Sequence, residues 1–346
     1  RTPKEILRNV KLQVDGGTAT LVATDLEVGV RVELTGVETD SNGEVLLPTS
    51  RMSSILRELT DETIGIEVTE TSIQVRTTGS EFTLASEDPD EFPDVATFEG
   101  EQYLAIPGAA LREGIVRTKF ATDQESTRYA LGGILFDPAS DAVTLVATDS
   151  RRLAVASLPV RSEGFEEPAN PGPVIPSKAM KLIEKSITDD EEEVRVAINA
   201  NDILVRCGQS TISSRLVEGR FPDYSKLIDT GRGSIATLEV DSFHTAVRQA
   251  DIVTSDESRG VDFSFDKGQL TLKTVAADVG ESTVEIPVAY DGDAVSISFD
   301  PRYIIEFLRV LRPESTVSLH LSDSESAAVF RTEDGYTYVV MPLSRD

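Results

Sequence analysis

Val22-Ala23-Thr24-Asp25, inside the run ATLVATDLEVGVRVEL, recurs at Val146-Ala147-Thr148-Asp149 inside AVTLVATDSRRLAVASL. A third version, Val275-Ala276-Ala277-Asp278, lies in LTLKTVAADVGESTVEI. The copies stand 124 and 129 residues apart. Self-similarity at about one domain length means three copies of one fold rather than a solenoid of short units.

A second element keeps the same register. LLPTSRMSSILREL (46–59), VIPSKAMKLIEKSI (174–187) and SFDPRYIIEFLRVL (298–311) each run from a short strand into an amphipathic helix. Pro48-Thr49, Pro176-Ser177 and Asp300-Pro301 are helix-start signals. Apolar residues then follow at helical spacing, as in Ile304, Ile305, Leu308 and Leu311. A third element occurs twice, at 103–120 and 237–253, as a strand followed by a helix opened by Pro107 or Asp241. Repeat one lacks its counterpart, so a strand and a helix of about thirty residues are expected to be missing in front of it.

The remaining runs, 63–78, 193–208 and 315–332, alternate with period two between polar turns, which predicts antiparallel strands. The class is therefore α+β: three tandem copies, each of antiparallel sheet with two helices on one face. The expected boundaries are 1–98, 99–230 and 231–346. They follow the acidic EDPDEFPD run (87–94) and the TGRGS stretch (230–234), and 161–173 reads as a loop.

The net charge is −27, which taken alone argues against a nucleic-acid partner. The charge is unevenly placed. The five expected helices, 49–60, 107–119, 176–187, 241–252 and 300–312, hold twelve basic residues against seven acidic ones. Lys and Arg favour helices, but so does Glu. A basic helical face on an acidic body suits a surface turned toward a polyanion.

Catalytic chemistry finds little support. The two histidines, His244 and His320, stand in unrelated contexts without metal-ligand spacing, and no phosphate-binding loop or nucleophile elbow occurs. No metal or other cofactor is expected. The repeated Thr-Asp pairs read as turn caps, although a hydrolase built on them is an alternative of another class. A repeat-built adhesion protein is a third, and the single Cys207 speaks against it. No apolar run is long enough to span a membrane, and one cysteine suits a cytoplasmic location. The segment GRFPDYSKLI (219–228) and the apolar tail Tyr338–Leu343 read either as core or as a docking patch.

The segments VATDSRRL (146–153), YALGGILF (129–136), RFPDY (220–224) and YVVMPL (338–343) resemble, in order and spacing, the bacterial β sliding clamps, processivity factors of DNA polymerase III. The resemblance covers the whole chain and implies a non-enzymatic, ring-forming DNA-clamp fold. Two copies would assemble head to tail, with helices around duplex DNA and sheets outside. A closed ring cannot leave sideways, so modest, sequence-independent phosphate contacts suffice.

The resemblance also implies a pocket for partner peptides. It would be formed by Leu131, Thr148, Arg152, Leu153, Pro222 and Leu227 with Tyr303, Val339, Val340, Met341, Pro342 and Leu343. Implied DNA contacts are Arg117, Lys119, Gln124, Lys178, Arg302 and Arg309. Implied dimer contacts are Leu84, Ile252 and Val253. The implied partners are the polymerase III alpha subunit, the clamp loader, and other polymerases and repair proteins with a clamp-binding motif. The chain departs from the family where Ser150-Arg151 replaces a frequent Gly-His, and where Lys226 and Ser344 replace frequent arginines.

Overall fold

The structure is a computed structural model that describes residues 5–69, 72–123, 130–164, 172–228 and 233–343. The first repeat contains β1 (Asn9–Asp15), β2 (Thr18–Thr24), β3 (Val28–Leu34) and β4 (Gly43–Pro48). Helix α1 (Thr49–Glu58) follows, then β5 (Gly65–Val68), β6 (Ser72–Arg76) and β7 (Glu81–Ala85). The second repeat opens with β8 (Tyr103–Pro107) and α2 (Gly108–Thr118), then β9 (Gly133–Pro138), β10 (Ala142–Thr148) and β11 (Arg152–Pro159). It continues through β12 (Arg161–Glu163), β13 (Val174–Pro176) and α3 (Ser177–Ser186). It closes with β14 (Glu193–Ile198), β15 (Asp202–Cys207), β16 (Ser210–Arg215) and the single turn α4 (Ser225–Ile228). The third repeat has β17 (Ser234–Glu239), α5 (Val240–Asp251), β18 (Val261–Asp266), β19 (Gln269–Ala276) and β20 (Gly280–Pro287). Its second half is β21 (Val295–Phe299), α6 (Pro301–Arg309), β22 (Thr316–Leu321), β23 (Ala328–Arg331) and β24 (Thr337–Val340).

These elements form two compact units. One draws on residues 1–109, 162–165 and 185–216, the other on 110–161, 166–184 and 217–346, so the middle repeat contributes strands to both. The first unit carries a nine-stranded sheet, β12-β8-β14-β15-β16-β3-β2-β1-β4, and a three-stranded sheet, β5-β6-β7. The second carries an eight-stranded sheet, β13-β9-β10-β11-β24-β23-β22-β17, and a four-stranded sheet, β20-β19-β18-β21. Every strand pairing whose register is described is antiparallel.

The same strand of each repeat makes the join to the next. The last strand of repeat two, β16, pairs with the third strand of repeat one, β3, with Ile212 opposite Val30. The last strand of repeat three, β24, pairs with β11, the strand of repeat two that corresponds to β3 in following the Thr-Asp pair, with Val339 opposite Leu153. The remaining strands of these two kinds, β7 and β20, are sheet edges.

The helices start where the sequence predicts, but by different means. Helix α6 has the expected side-chain cap: the Asp300 carboxylate accepts from the Arg302 N–H, and Pro301 sits in the first turn. Pro48 and Glu239 precede α1 and α5 without a side-chain cap. In α5 the Val240 and Asp241 N–H groups instead donate to the carbonyls of Ser315 and Pro313. In α2, Gly108 and Ala109 donate to Glu192 and Asp190 in the same way. Tertiary contacts thus satisfy amides that Asp241 or Pro107 was expected to manage locally.

Burial follows the helical spacing. Ile304, Ile305, Phe307 and Leu308 of α6 are buried, each contributing about 1.5–3 kcal/mol relative to exposure. Phe307 stacks on Tyr338 of β24, with ring centroids 4.6 Å apart and planes at 8°.

Candidate peptide pocket and charged helical faces

The Thr-Asp repeats build one turn twice. In the second repeat the Thr148 hydroxyl donates to the Arg152 carbonyl and accepts from the Ser150 N–H, while Asp149 Oδ1 accepts from the Arg151 and Arg152 N–H groups. In the first repeat Thr24 bonds Val28 and Leu26, and Asp25 bonds Glu27 and Val28, in the same pattern. The residue after each Asp, Leu26 or Ser150, has positive φ (77° and 71°), the left-handed conformation such a turn requires. In the third copy Ala277 replaces the threonine, and a tighter turn closes with the Val279 N–H on the Ala276 carbonyl. The pairs therefore turn the chain, as their position at a strand end suggests.

Arg152 is set into the second turn, where each of its three side-chain nitrogens donates within the chain. Its Nε donates to Asp149 Oδ2 at 2.9 Å, one terminal nitrogen to the Phe120 carbonyl at 2.8 Å, and the other to Glu306. The guanidinium carbon also lies 5.3 Å from the Phe120 ring centroid and 4.6 Å from that of Tyr303. Burial works against its charge, but Tyr338, Glu306 and Asp149 more than offset this and raise its pKa above the ordinary value. Arg152 thereby ties the turn, the end of α2, helix α6 and β24 together.

Around this residue the structure gathers most of the expected pocket. Arg152 and Leu153 lie opposite Val340 and Val339 in the β11–β24 ladder, and the Met341 N–H donates to the Arg151 carbonyl. Leu153, Val339, Phe221 and Ala130 form a buried cluster, with Tyr224 and Ile228 packed against it. Leu131, Thr148, Leu153, Val339 and Val340 are buried and act as floor. Leu227 and Met341 are 43% and 42% exposed, and Pro222 is exposed too, so these supply the apolar surface. Tyr303 is half-buried under Arg152. Pro342 is half-buried, while Leu343 leaves the floor, its N–H donating to the Ser298 carbonyl.

Sequence reasoning flagged 219–228 as core or docking patch without assigning Phe221, Tyr224 and Ile228 to the pocket, and it missed Phe120 and Glu306. One signal was available: Glu91-Phe92-Pro93-Asp94-Val95 is a copy of Arg220-Phe221-Pro222-Asp223-Tyr224, 129 residues earlier. Phe92 is buried with Val22 and Leu46 much as Phe221 is buried in its cluster. In the first repeat Gly29 stands where Leu153 stands in the second, and a Cβ there would lie 2.5 Å from Val95 Cγ1 and 2.6 Å from Ser213 Oγ. Val95 thus closes the place from which Tyr224 is drawn away, its hydroxyl 3.4 Å from Asp137. Burial pushes the Tyr224 phenol up to about 12, and the Asp137 charge adds to the shift.

The cations expected to meet DNA fall into two groups. Arg117 is only 11% exposed, paired with Glu113 and Asp334 and lying over the Tyr336 ring. Lys119 pairs with Glu184 at 2.6 Å, and Arg302 pairs with Asp300. Lys178 and Arg309 are exposed. Gln124 lies outside the described residues. Arg51 and Arg57 on α1, Lys181 and Lys185 on α3, and Arg248 and Arg309 on α5 and α6 are also exposed and form no ion pair among the described residues. Of the expected dimer contacts, Leu84 lies half-buried on the edge strand β7. Ile252 is 76% exposed just past α5, and Val253 is half-buried beside it.

Comparison with known proteins is consistent along the whole chain. Residues 1–96, 105–223 and 225–344 match the N-terminal, central and C-terminal domains of the DNA polymerase III beta subunit. A β sliding clamp of Pseudomonas putida is 32% identical over 343 residues, which is 98% of this chain and 92% of the relative. The crystal structure of the DNA polymerase III subunit beta from Pseudomonas aeruginosa superposes with a TM-score of 0.92 at 29% identity, covering 100% of this chain and 94% of that one. A sliding clamp of the same organism solved bound to griselimycin gives 0.90 at 30% identity, covering 100% and 93%.

Proposed function

The chain belongs to the DNA polymerase III beta-subunit family, the sliding clamps, and we propose that two copies close head to tail around duplex DNA. The family is a non-catalytic processivity factor, and this chain holds the replicative polymerase on its template. The three clamp domains are taken as 1–98, 99–230 and 231–346, in keeping with the family matches. The place of action is the cytoplasm; no helix among the described residues is long and apolar enough to cross a membrane.

The observation that carries the ring is the seam rule. The last strand of one repeat pairs with the strand that follows the Thr-Asp turn of the preceding repeat, at β16–β3 and at β24–β11, and the remaining strands of these two kinds, β7 and β20, are edges. Neither edge strand has a buried residue, whereas all four residues of β24 are buried. Two copies placed head to tail complete two β7–β20 seams, leaving neither edge free to pair elsewhere. Leu84, Ile252 and Val253 then close around those seams. By register, Glu281 takes the place of Arg152, and Arg51 of a second copy takes that of Tyr303. The closing seam would thus carry an inverted ion pair.

Helices turned inward would meet DNA through Lys178 and Arg309, with Gln124. Arg117, only 11% exposed and held between Glu113 and Asp334, contributes less than Lys119 and Arg302. The pocket built on Leu131, Thr148, Arg152, Leu153, Pro222 and Leu227 with Tyr303 and Val339–Leu343 receives short apolar peptides. Their owners are the polymerase alpha subunit, the clamp loader, and other polymerases and repair proteins.

The test combines sedimentation with retention on DNA circles. Loaded protein stays on nicked circles and leaves after linearisation. Glu281→Arg disperses the dimer and abolishes retention, and Arg51→Glu added to it restores both. Equal retention on circular and linear DNA, or a monomer at micromolar concentration, refutes the ring.

A further inference from the structure

Helix α5 carries His244 and Arg248 one turn apart, and α6, packed against α5, carries Arg309. Arg248 and Arg309 are exposed and form no ion pair among the described residues, in a chain of net charge −27. His244 is half-buried, and the charges of both arginines act on it. Its Nε2 is shielded from solvent without a hydrogen-bond partner, while Nδ1 is neither buried nor bonded and is the nitrogen a ligand can reach. We infer that His244, Arg248 and Arg309 form a phosphodiester site on the third repeat that takes up a proton as DNA binds. This rests on the sliding-clamp reading, which supplies the duplex.

The argument is one of uncompensated charge. Burial and then the two arginines hold the His244 imidazole below its ordinary value of 6.5. Asp241, one turn earlier on α5, opposes them, and no charged group of β17, β19 or β20 acts on it. A phosphate between the arginines replaces their repulsion by attraction and accepts from protonated Nδ1, so the bound state favours the charged imidazole. The sign follows: the bound value lies above the free one, so affinity rises as pH falls through the interval between them. One added cation on a phosphate steepens the salt dependence by about one unit in log–log slope.

The chain has only two histidines, so labelled imidazole resonances read the site directly, with His320 on β22 as internal reference. A mixed-sequence DNA duplex raises the His244 titration midpoint and leaves that of His320 in place. Duplex affinity by anisotropy rises several-fold from pH 8 to pH 5.5 in the native protein, with the steeper salt slope at the lower pH. His244→Gln binds like the native protein at pH 8 and loses the pH effect; Arg248→Gln with Arg309→Gln abolishes the midpoint shift. An unmoved His244 midpoint while the duplex is bound, or a pH effect that survives His244→Gln, overturns the inference. A midpoint raised equally by inorganic phosphate alone also overturns it, by making the site one for free anions. Failure of the native protein to bind duplex at any pH also overturns the inference, while retention on nicked circles decides the clamp reading separately.

Discussion

The β3–β16 and β11–β24 seams use the same ladder and the same Thr-Asp turn, yet Val95 covers the strand of the first, whereas Leu227 and Met341 stand exposed beside the second. In the first, Gly29 lets Val95 seat directly on the strand, and Val28 occupies the register position that Arg152 holds in the second. In the second, Leu153 fills the strand, Tyr224 turns to Asp137, and Leu227 and Met341 stay exposed. A repeat can therefore keep one backbone join while a few side chains decide whether the join is sealed or receptive.

The largest effect that would break this contrast is expected at Arg152. Arg152→Val, which installs the residue of the first seam, strands Asp149, Glu306 and the Phe120 carbonyl, at a cost of about 3–5 kcal/mol in denaturant unfolding. Adding Glu306→Leu should recover part of that loss, a coupling that independent sites would not show. Gly29→Leu, the reverse exchange, forces a side chain against Val95 and Ser213 and should cost about 1–3 kcal/mol by the same measurement. An unchanged unfolding midpoint would mean that Val95 does not seal the first seam. The smallest effect is the most specific. Leu227→Ala with Met341→Ala leaves stability within about 0.5 kcal/mol, since both are exposed, and weakens a partner peptide about tenfold by calorimetry. Undiminished peptide affinity would remove these two residues from the pocket.

Helix positions were legible because capping residues and apolar spacing are local: α1 runs 49–58 where 49–60 was expected, and α2 runs 108–118 where 107–119 was expected. Hairpins were legible for the same reason. Arg152 was named through the resemblance, but its burial was not legible, because Arg in a sequence reads as surface and only the convergence of Asp149, Glu306 and Phe120 makes that burial tolerable. The ion pairs of Arg117, a DNA contact implied by the resemblance, with Glu113 and Asp334 were likewise not legible.

The sequence by itself determined three copies of an antiparallel α+β fold and a basic bias in the helices, since periodicity and composition are properties of short segments. Only the tertiary structure decided which strands of different repeats join, which seam stays open, and which cations remain unpaired. The seams depend on partners more than a hundred residues away and the cation pairs on which side chains meet in space, and neither is encoded in a local pattern.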